Sequence, residues 1–295
     1  MKKALVLGGS GFIGSHLTEL LQKRKYKVGI YDLKEPLGFK FKGMFFQRDI
    51  TNKLDLEVCI VGFKPDVMFD CSGVLGTAET FNHIERAIDV NIKGTLNVLE
   101  VARKHKIPMV YIGLTNKWLN PYTITKTAAE RLCMMYAKEF KMKVAVLKGL
   151  NAYGSRQHIH KVRKIVPTFI TAALDNKSLF VNGNGMQVVD IVHATDLSEM
   201  MLRMYEMGTC WGKSIDGGTG VPMTVNEVAE KIIKLVRSKS KILHMPMRRG
   251  EPEMSVTLAE PAGVRQFLDF YPEIGFDKGM KQAIKWYRKN YKTCE

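Results

Sequence analysis

The stretch from Lys3 to Asp32 constrains the fold of this chain more than any other. It runs Ala4-Leu5-Val6-Leu7, then Gly8-Gly9-Ser10-Gly11-Phe12-Ile13-Gly14, then a helix-like segment from Ser15 to Arg24. Val28-Gly29-Ile30-Tyr31-Asp32 follows. A short apolar run enters a glycine turn, a helix leaves it, and a second apolar run ends on an acid. This order predicts a βαβ unit shaped to hold a dinucleotide. In such a unit Gly8 supplies the tight turn, Gly11 lets the backbone approach a pyrophosphate, and Gly14 lets helix and strand pack closely. Phe12 and Ile13 open the helix, whose free N–H groups and positive dipole end face the phosphates. A carboxylate at Asp32 accepts hydrogen bonds from ribose hydroxyls and repels a 2′-phosphate. No Arg lies within Gly8–Gly14 to hold such a phosphate, so the expected cofactor is NAD rather than NADP.

The 295 residues are 45% hydrophobic, enough for a large core. Length alone suggests two domains, or one large α/β unit with an appendage. No run of about 18 apolar residues predicts a membrane span. Met1-Lys2-Lys3 before an apolar run resembles a signal peptide, but the glycine loop follows at once without a small-residue cleavage site, so none is expected. The cysteines at 59, 71, 133, 210 and 294 are scattered and lack a C-x-x-C pair, as free thiols in a reducing cytoplasm would be. Neither a disulfide framework nor a zinc site is expected. The formal charge of +16 is spread over predicted helices. It suits attraction of an anionic ligand, and no pattern of stacking aromatics points to specific nucleic-acid binding.

Alternation continues after Asp32. Strands are expected at Met44–Gln47, Asp66–Asp70, Ile107–Ile112 and Val144–Leu147, and helices at Leu54–Phe63, Phe81–His105 and Pro121–Phe140. Strands alternating with helices imply an α/β fold with a Rossmann-type, doubly wound parallel sheet. After Leu150 the rhythm breaks into glycine-rich turns, with helices at Val162–Asp175, Thr195–Met207, Thr224–Lys239, Pro261–Leu268 and Asp277–Tyr291. Residues 1–150 therefore read as the dinucleotide-binding domain. Residues 151–295 read as a smaller, mixed α/β substrate domain interleaved with it. Ligands of such sheets bind beyond the carboxyl ends of the strands. That rule selects Gly8–Gly14, Asp32, Asp49-Ile50, Cys71–Thr77, Gly113–Lys117 and Asn151–Arg156.

Beyond the fifth strand stands Thr115-Asn116-Lys117-Trp118-Leu119-Asn120-Pro121-Tyr122, and then Lys126. Tyr122 and Lys126 are four apart at a helix start and share a face. An ammonium beside a phenol favours the phenolate, and a phenolate can take a proton from an alcohol. Thr115 at the strand end can hydrogen-bond the reacting oxygen.

These residues carry a resemblance to the extended short-chain dehydrogenase/reductases, the NAD-dependent sugar-nucleotide epimerase/dehydratase family. Gly8, Gly11 and Gly14 match its cofactor loop, Asp32 its ribose acid and Asp49-Ile50 its adenine-side pair. Val90-Asn91-Ile92-Lys93-Gly94-Thr95 matches its V-N-x-x-G-T helix, which puts Asn91 on the cofactor side. Thr115, Tyr122 and Lys126 match its catalytic triad. Asn151–Gln157 resembles its N-x-Y-G-P-R-Q segment, and Arg248–Glu251 resembles a turn that meets nucleotide phosphates. The resemblance implies cofactor contacts from Cys71 and Ser72. It implies substrate contacts from Thr115, Asn116, Asn151, Arg156 and Arg248. It also implies a homodimer through a four-helix contact.

The chain departs from the family at three places. Val189 stands where relatives carry an Arg that reaches the substrate pyrophosphate, so neutralisation falls to Arg248, Arg249, Arg156 or the Lys161–Lys164 run. Asp70-Cys71-Ser72-Gly73 replaces H-x-A-A, and only six residues separate Thr115 from Tyr122, where relatives have a longer loop. Asn116-Lys117 follows Thr115 where dehydratases carry an acid, which argues against 4,6-dehydration. His158 and His160 lack a third ligand at metal spacing, and His193 reads as a packed histidine in an apolar strand. The leading expectation is an NAD-dependent sugar-nucleotide epimerase. Its alternatives are a net oxidoreductase or 4,6-dehydratase on the same substrates, or a catalytically weakened NAD-binding regulator.

Overall fold

The structure is a computed structural model that describes residues 1–159 and 162–292. Strand β1 (Lys3–Leu7) turns through the glycines into helix α1 (Phe12–Lys23), and β2 (Lys27–Asp32) returns beside β1. The alternation continues as β3 (Met44–Gln47), α2 (Lys53–Phe63), β4 (Val67–Asp70), α3 (Ile84–Ala87), α4 (Thr95–Lys104), β5 (Met109–Gly113), α5 (Pro121–Glu139) and β6 (Val144–Gly149). Then come β7 (Asn151–Tyr153), α6 (Ile165–Leu174), β8 (Leu179–Asn182), β9 (Val188–His193), α7 (Ala194–Met207) and β10 (Ser214–Gly217). The chain ends with β11 (Pro222–Thr224), α8 (Val225–Val236), β12 (Ile242–Met245), β13 (Val256–Thr257), α9 (Ala262–Leu268) and α10 (Phe276–Asn290).

Seven parallel strands form the main sheet in the order β10-β6-β5-β4-β1-β2-β3. The order reverses between β1 and β4, and a crevice opens at such a switch point. Gly8 leaves β1 and Cys71 leaves β4 at its two edges. The strands are apolar on both faces because helices cover both. One face packs Leu17 and Leu21 of α1 against Leu197, Met200 and Met201 of α7. The other packs Leu56, Ile60, Leu99 and Cys133 against Leu5, Met68 and Met109.

The chain crosses back over the expected dividing line at residue 150. Strand β10 pairs with β6, and α7 lies beside α1. Met200, Met201 and Leu202 are fully buried there, each worth roughly 1.5–3 kcal/mol of burial. A third core gathers Tyr153, Phe169, Ile191, Ile232 and Tyr287 from the β7–β9 segment, α6, α8 and α10. Strand β9 is its spine, flanked by β7, β11 and β13.

The single helix expected over Phe81–His105 is broken. A 3₁₀ turn covers Glu79–Asn82, α3 follows, Ile88–Gly94 winds as a π-helix, and only then does α4 begin. The wide turn brings Asn91 inward and lets Ile50 press on Gly94, where a Cβ would stand 2.5 Å from Ile50 Cδ1. Such π segments recur at functional sites. Among the described residues no helix is long and apolar enough to cross a membrane.

Candidate active site

The glycine loop is built as a cradle. Gly8 has φ +70°, and Gly14 sits so close to the turn that a Cβ on it would lie 2.1 Å from the Gly8 carbonyl oxygen. Helix α1 begins after Gly11 with no side-chain cap and no acid in its first turn. Its leading N–H groups thus face the crevice, the arrangement a pyrophosphate needs. Asp32 closes the loop from the tip of β2. Its carboxylate accepts from Ser10 N at 3.0 Å and Lys34 N at 3.1 Å. Burial nevertheless raises its pKa above the ordinary range. Across the crevice, Cys71 N donates to Leu7 O, and Ser72 donates to Asp70 Oδ1 from N (2.9 Å) and Oγ (2.5 Å).

The stretch expected to be catalytic begins at the end of β5. Leu114–Asn120 links β5 to α5, and Asn120 caps α5 by accepting from Thr123 N at 2.9 Å. The cap and Pro121 start the helix abruptly, so Tyr122 stands on its first turn, close in sequence to half-buried Thr115. Lys126 is almost fully buried. Its ammonium lies over the Tyr111 ring, 4.1 Å from the centroid. Burial lowers the pKa of Lys126, and Asp70, fully buried and cross-strand from Tyr111, opposes that. Tyr122 differs from the sequence expectation. Burial pushes its phenol up to about 12, with no compensating pull from Lys126. The ammonium is spent against Tyr111 and Asp70, so in the protein alone the phenol stays protonated at neutral pH. Asn91 ties these parts together by accepting from Val74 N at 2.8 Å and donating to Val74 O and Thr125 Oγ1.

A sequence profile of the NAD dependent epimerase/dehydratase family matches residues 4–211. The chain belongs to this family. It is 28% identical to the UDP-N-acetyl-alpha-D-glucosaminuronate decarboxylase of Bacillus cytotoxicus, with 98% of each chain covered. It is 27% identical to a putative UDP-glucose 4-epimerase of Methanocaldococcus jannaschii, covering 98% of this chain and 99% of that one. The crystal structure of UDP-glucose 4-epimerase with UDP-glucose from Thermotoga maritima superposes with a TM-score of 0.91 at 22% identity, covering 98% and 99% of the two chains. That last likeness shows the Rossmann-type fold.

The chain is thus an enzyme of the epimerase/dehydratase family, and NAD is its cofactor. The cradle fits that group: a Cβ would fill it, the helix end is uncapped, and the acid stands ready at the tip of β2. Other expected site residues fare differently. Asp49 is held by Thr51 N at 2.9 Å and by Arg86 at 2.8 Å, and Ile50 is buried in the core. Asn116 is occupied, since its Oδ1 accepts from Thr123 Oγ1 at 2.8 Å. Asn151 donates to Asp190 O at 3.3 Å.

Arg156, which the resemblance put among the substrate contacts, is bonded to α1 in the structure. Its backbone is left-handed (φ +65°), and the guanidinium turns back onto α1. There it bonds Glu19 Oε2 at 2.5 Å and Ser15 Oγ at 3.0 Å, with Phe39 beneath it. A side chain held this way braces the cofactor helix. Val189, where the resemblance led one to expect an Arg, is buried in the third core.

Three groups gather around the starts of α5 and α6, and of these the sequence reading named Lys164 as a phosphate partner, within the Lys161–Lys164 run. Lys164, the residue before α6, holds its ammonium 5.7 Å from the Tyr122 ring centroid. Burial and then Arg248 lower its pKa to about 8. Glu79 accepts from Arg163 N through one oxygen, while the other, Oε2, is buried with no partner among the described residues. Asn120 reaches the turn after Arg249 through a 2.9 Å bond to Gly250 O. Arg248 pairs with Glu251, and Arg249 stacks on Phe81 at 3.9 Å. Only the basic run ending at Lys164 hinted at this convergence. His160 and Lys161 lie outside the described residues. His193 is packed as expected, edge-on to Tyr153 and His16, and its Nδ1 caps α7.

Proposed function

We propose that the chain is an NAD-dependent sugar-nucleotide epimerase. The observation that carries this reading is the Thr115, Tyr122 and Lys126 set followed by a residue that cannot act as an acid. Asn116 is neutral, and its side-chain oxygen is already bonded to Thr123. Dehydration needs a proton donor and acceptor beyond the tyrosine, and position 116 supplies neither.

When bound, NAD takes a hydride from a sugar carbon and later returns it. The residues of the chain handle the matching proton. Tyr122 faces the reacting hydroxyl, accepts its proton as the ketone forms, and gives it back. Burial alone keeps the phenol protonated, so the positive nicotinamide of bound NAD would have to bring it to the phenolate that takes this proton; the phenol so formed is the donor of the return step. Thr115 orients the same oxygen. Lys126, whose ammonium form Asp70 favours against burial, supplies positive charge at the cofactor side of the tyrosine. Asp32 and the N–H groups of α1 bind the adenosine and pyrophosphate ends of NAD. On the substrate side, Arg248 meets the nucleotide phosphates.

Assembly as a homodimer belongs to the same reading. Ile84, Ile88 and Leu96 on the broken helix, and Ile124 and Met135 on α5, are large apolar side chains left exposed. A four-helix contact would bury them.

The test supplies UDP-, dTDP-, GDP- and CDP-hexoses, and the UDP-hexuronates, to the purified protein with NAD and reads products by NMR. An inverted sugar of unchanged mass supports the reading. Loss of carbon dioxide or water would move the chain to the decarboxylases or dehydratases. Tyr122→Phe is expected to lose roughly 10²–10⁴-fold in turnover while binding NAD as the parent does.

A further inference from the structure

We propose that the outer face of α8 and α10 docks on an anionic lipid membrane, held by charge and without insertion. The inference goes beyond the nucleotide-sugar reading and uses none of the active-site residues.

Half of the formal charge of +16 lies in two short stretches, 225–241 and 276–292, where eleven Lys and Arg stand against three acids. These stretches hold α8 and α10, which lie side by side. Along α10 and just past it, Lys278, Lys281, Lys285, Lys289 and Lys292 are all exposed at a spacing of three or four residues, so they form one stripe. Lys231 and Lys234 are exposed on α8, and the Lys231 ammonium lies 5.5 Å from the ring centroid of Phe276 at the start of α10. None of these ammonium groups is within ion-pair reach of a carboxylate among the described residues. Where α6, α8 and α10 finish, a cavity of about 370 Å³ is lined by Arg237, Arg288, Lys289 and Lys292 and by no carboxylate.

The fold does not need this charge. Cations favour a helix C-terminus, which accounts for Arg288 and Lys289. Lys278 stands in the first turn of α10, where a cation opposes the dipole. Lys281, Lys285 and Lys289 repel one another as like charges four apart. A stripe that costs helix stability is explained by an anionic partner that offsets the cost. Its chemistry favours a lipid surface over nucleic acid. Nine of the eleven cations are Lys, point charges that attract phosphate without orienting on it, whereas base edges and bidentate phosphate contacts call for Arg. The rings on this face are engaged and offer no stacking platform. Trp286 lies edge-on to Tyr287, the Tyr291 hydroxyl donates to Asp175 Oδ1 at 2.6 Å, and Lys231 covers Phe276. The apolar side of α10, with Met280, Ala283, Ile284 and Tyr287, is buried in the third core, so nothing on this helix is left to insert. Attachment is therefore peripheral, with headgroup phosphates meeting the lysine stripe and entering the cavity at its end.

The test floats the purified protein with vesicles of phosphatidylcholine alone and of an equal mixture with phosphatidylglycerol. The parent should partition onto the mixed vesicles and not onto the neutral ones. It should come off in about 1 M salt, where the screening length falls to about 3 Å. Each lysine held near such a surface is worth about fivefold in partitioning. The triple variant Lys281→Gln, Lys285→Gln, Lys289→Gln should therefore lose roughly a hundredfold. A second triple variant, Lys25→Gln, Lys27→Gln, Lys141→Gln, makes the same change of net charge at exposed positions elsewhere and should bind as the parent does. NAD affinity, measured alongside by calorimetry, should be unchanged in both. Failure of the parent to partition onto the mixed vesicles would overturn the proposal, and so would equal losses in the two triple variants, which would assign the attraction to net charge alone. Duplex DNA that strips the protein from the vesicles at matched phosphate concentration would assign the face to nucleic acid and overturn it too. Because binding is read without turnover, failure to invert any sugar would count against the epimerase reading and not against the docking face.

Discussion

Substituting the third glycine of the cofactor loop should cost more than substituting the second, and the structure says by how much. A Cβ on Gly14 would stand 2.1 Å from the Gly8 oxygen and 2.8 Å from Gly9 Cα, where real Cβ contacts keep at least 3.0 Å. Backbone lies on both sides, so no side chain can swing away. Helix α1 or the loop must shift by about 0.9 Å to accept Gly14→Ala. Overpacking of this kind costs about 1–3 kcal/mol, and a Tm drop of roughly 2–10 °C follows for a chain of this size. The same shift turns the α1 N–H groups away from a pyrophosphate. Losing even one charge-assisted bond there weakens NAD at least about tenfold. Gly11→Ala meets the same oxygen at 3.2 Å and needs only a few tenths of an ångström. Gly62→Ala, with nothing within 4 Å of its Cβ and a place in α2, should stabilise by up to about 1 kcal/mol. Calorimetric NAD titration and thermal melts of the three variants check the series. Parent-like NAD affinity in Gly14→Ala, or a larger loss in Gly11→Ala than in Gly14→Ala, would refute the steric account of the cradle.

Two further outcomes follow from buried charge. Asp70→Asn keeps the shape and the Ser72 contacts but removes the charge that sustains the Lys126 ammonium. The alkaline limb of the activity profile should therefore move down by more than about one pH unit, and an unmoved limb would show that Asp70 does not act on Lys126. His16 and His193 are buried and held neutral, with pKa values lowered by burial to about 3 and about 4. Each binds its proton more readily unfolded than folded, so the stability they contribute is complete above pH 6.5 and declines as pH falls toward those values. Urea midpoints should drop between pH 7 and pH 4, and a flat profile would mean that the two rings are not held neutral.

Much of the fold was legible because its signals are local. The apolar runs at Ala4–Leu7 and Val28–Tyr31, the glycines between them and the cap-and-proline start at Asn120-Pro121 each act within a few residues. What stayed hidden depends on contacts between distant segments. A 3.6-residue period over Phe81–His105 does not reveal the π turn, which forms because Asn91 meets Val74 and Thr125 while Ile50 fills the space at Gly94. The N-x-Y-G-P-R-Q resemblance placed Arg156 near substrate. The bonds it makes on α1, with a left-handed backbone and the carboxylate of Glu19, could not be read from that motif. Lys164 and Glu79 lie far apart in sequence, and only the folded chain places the run preceding α6 beside the 3₁₀ turn at Glu79–Asn82. The return of β10 to the edge of the main sheet is non-local in the same way.

The central claim is that one sugar carbon is oxidised and reduced within a single turnover, with the hydride kept inside the site. Conversion of a nucleotide sugar in D2O tests it most directly, with product read by proton NMR and NADH followed by absorbance. The account predicts an inverted carbon that retains its protium and no accumulation of NADH. Deuterium at the inverted carbon, or NADH rising in step with substrate loss, would contradict it.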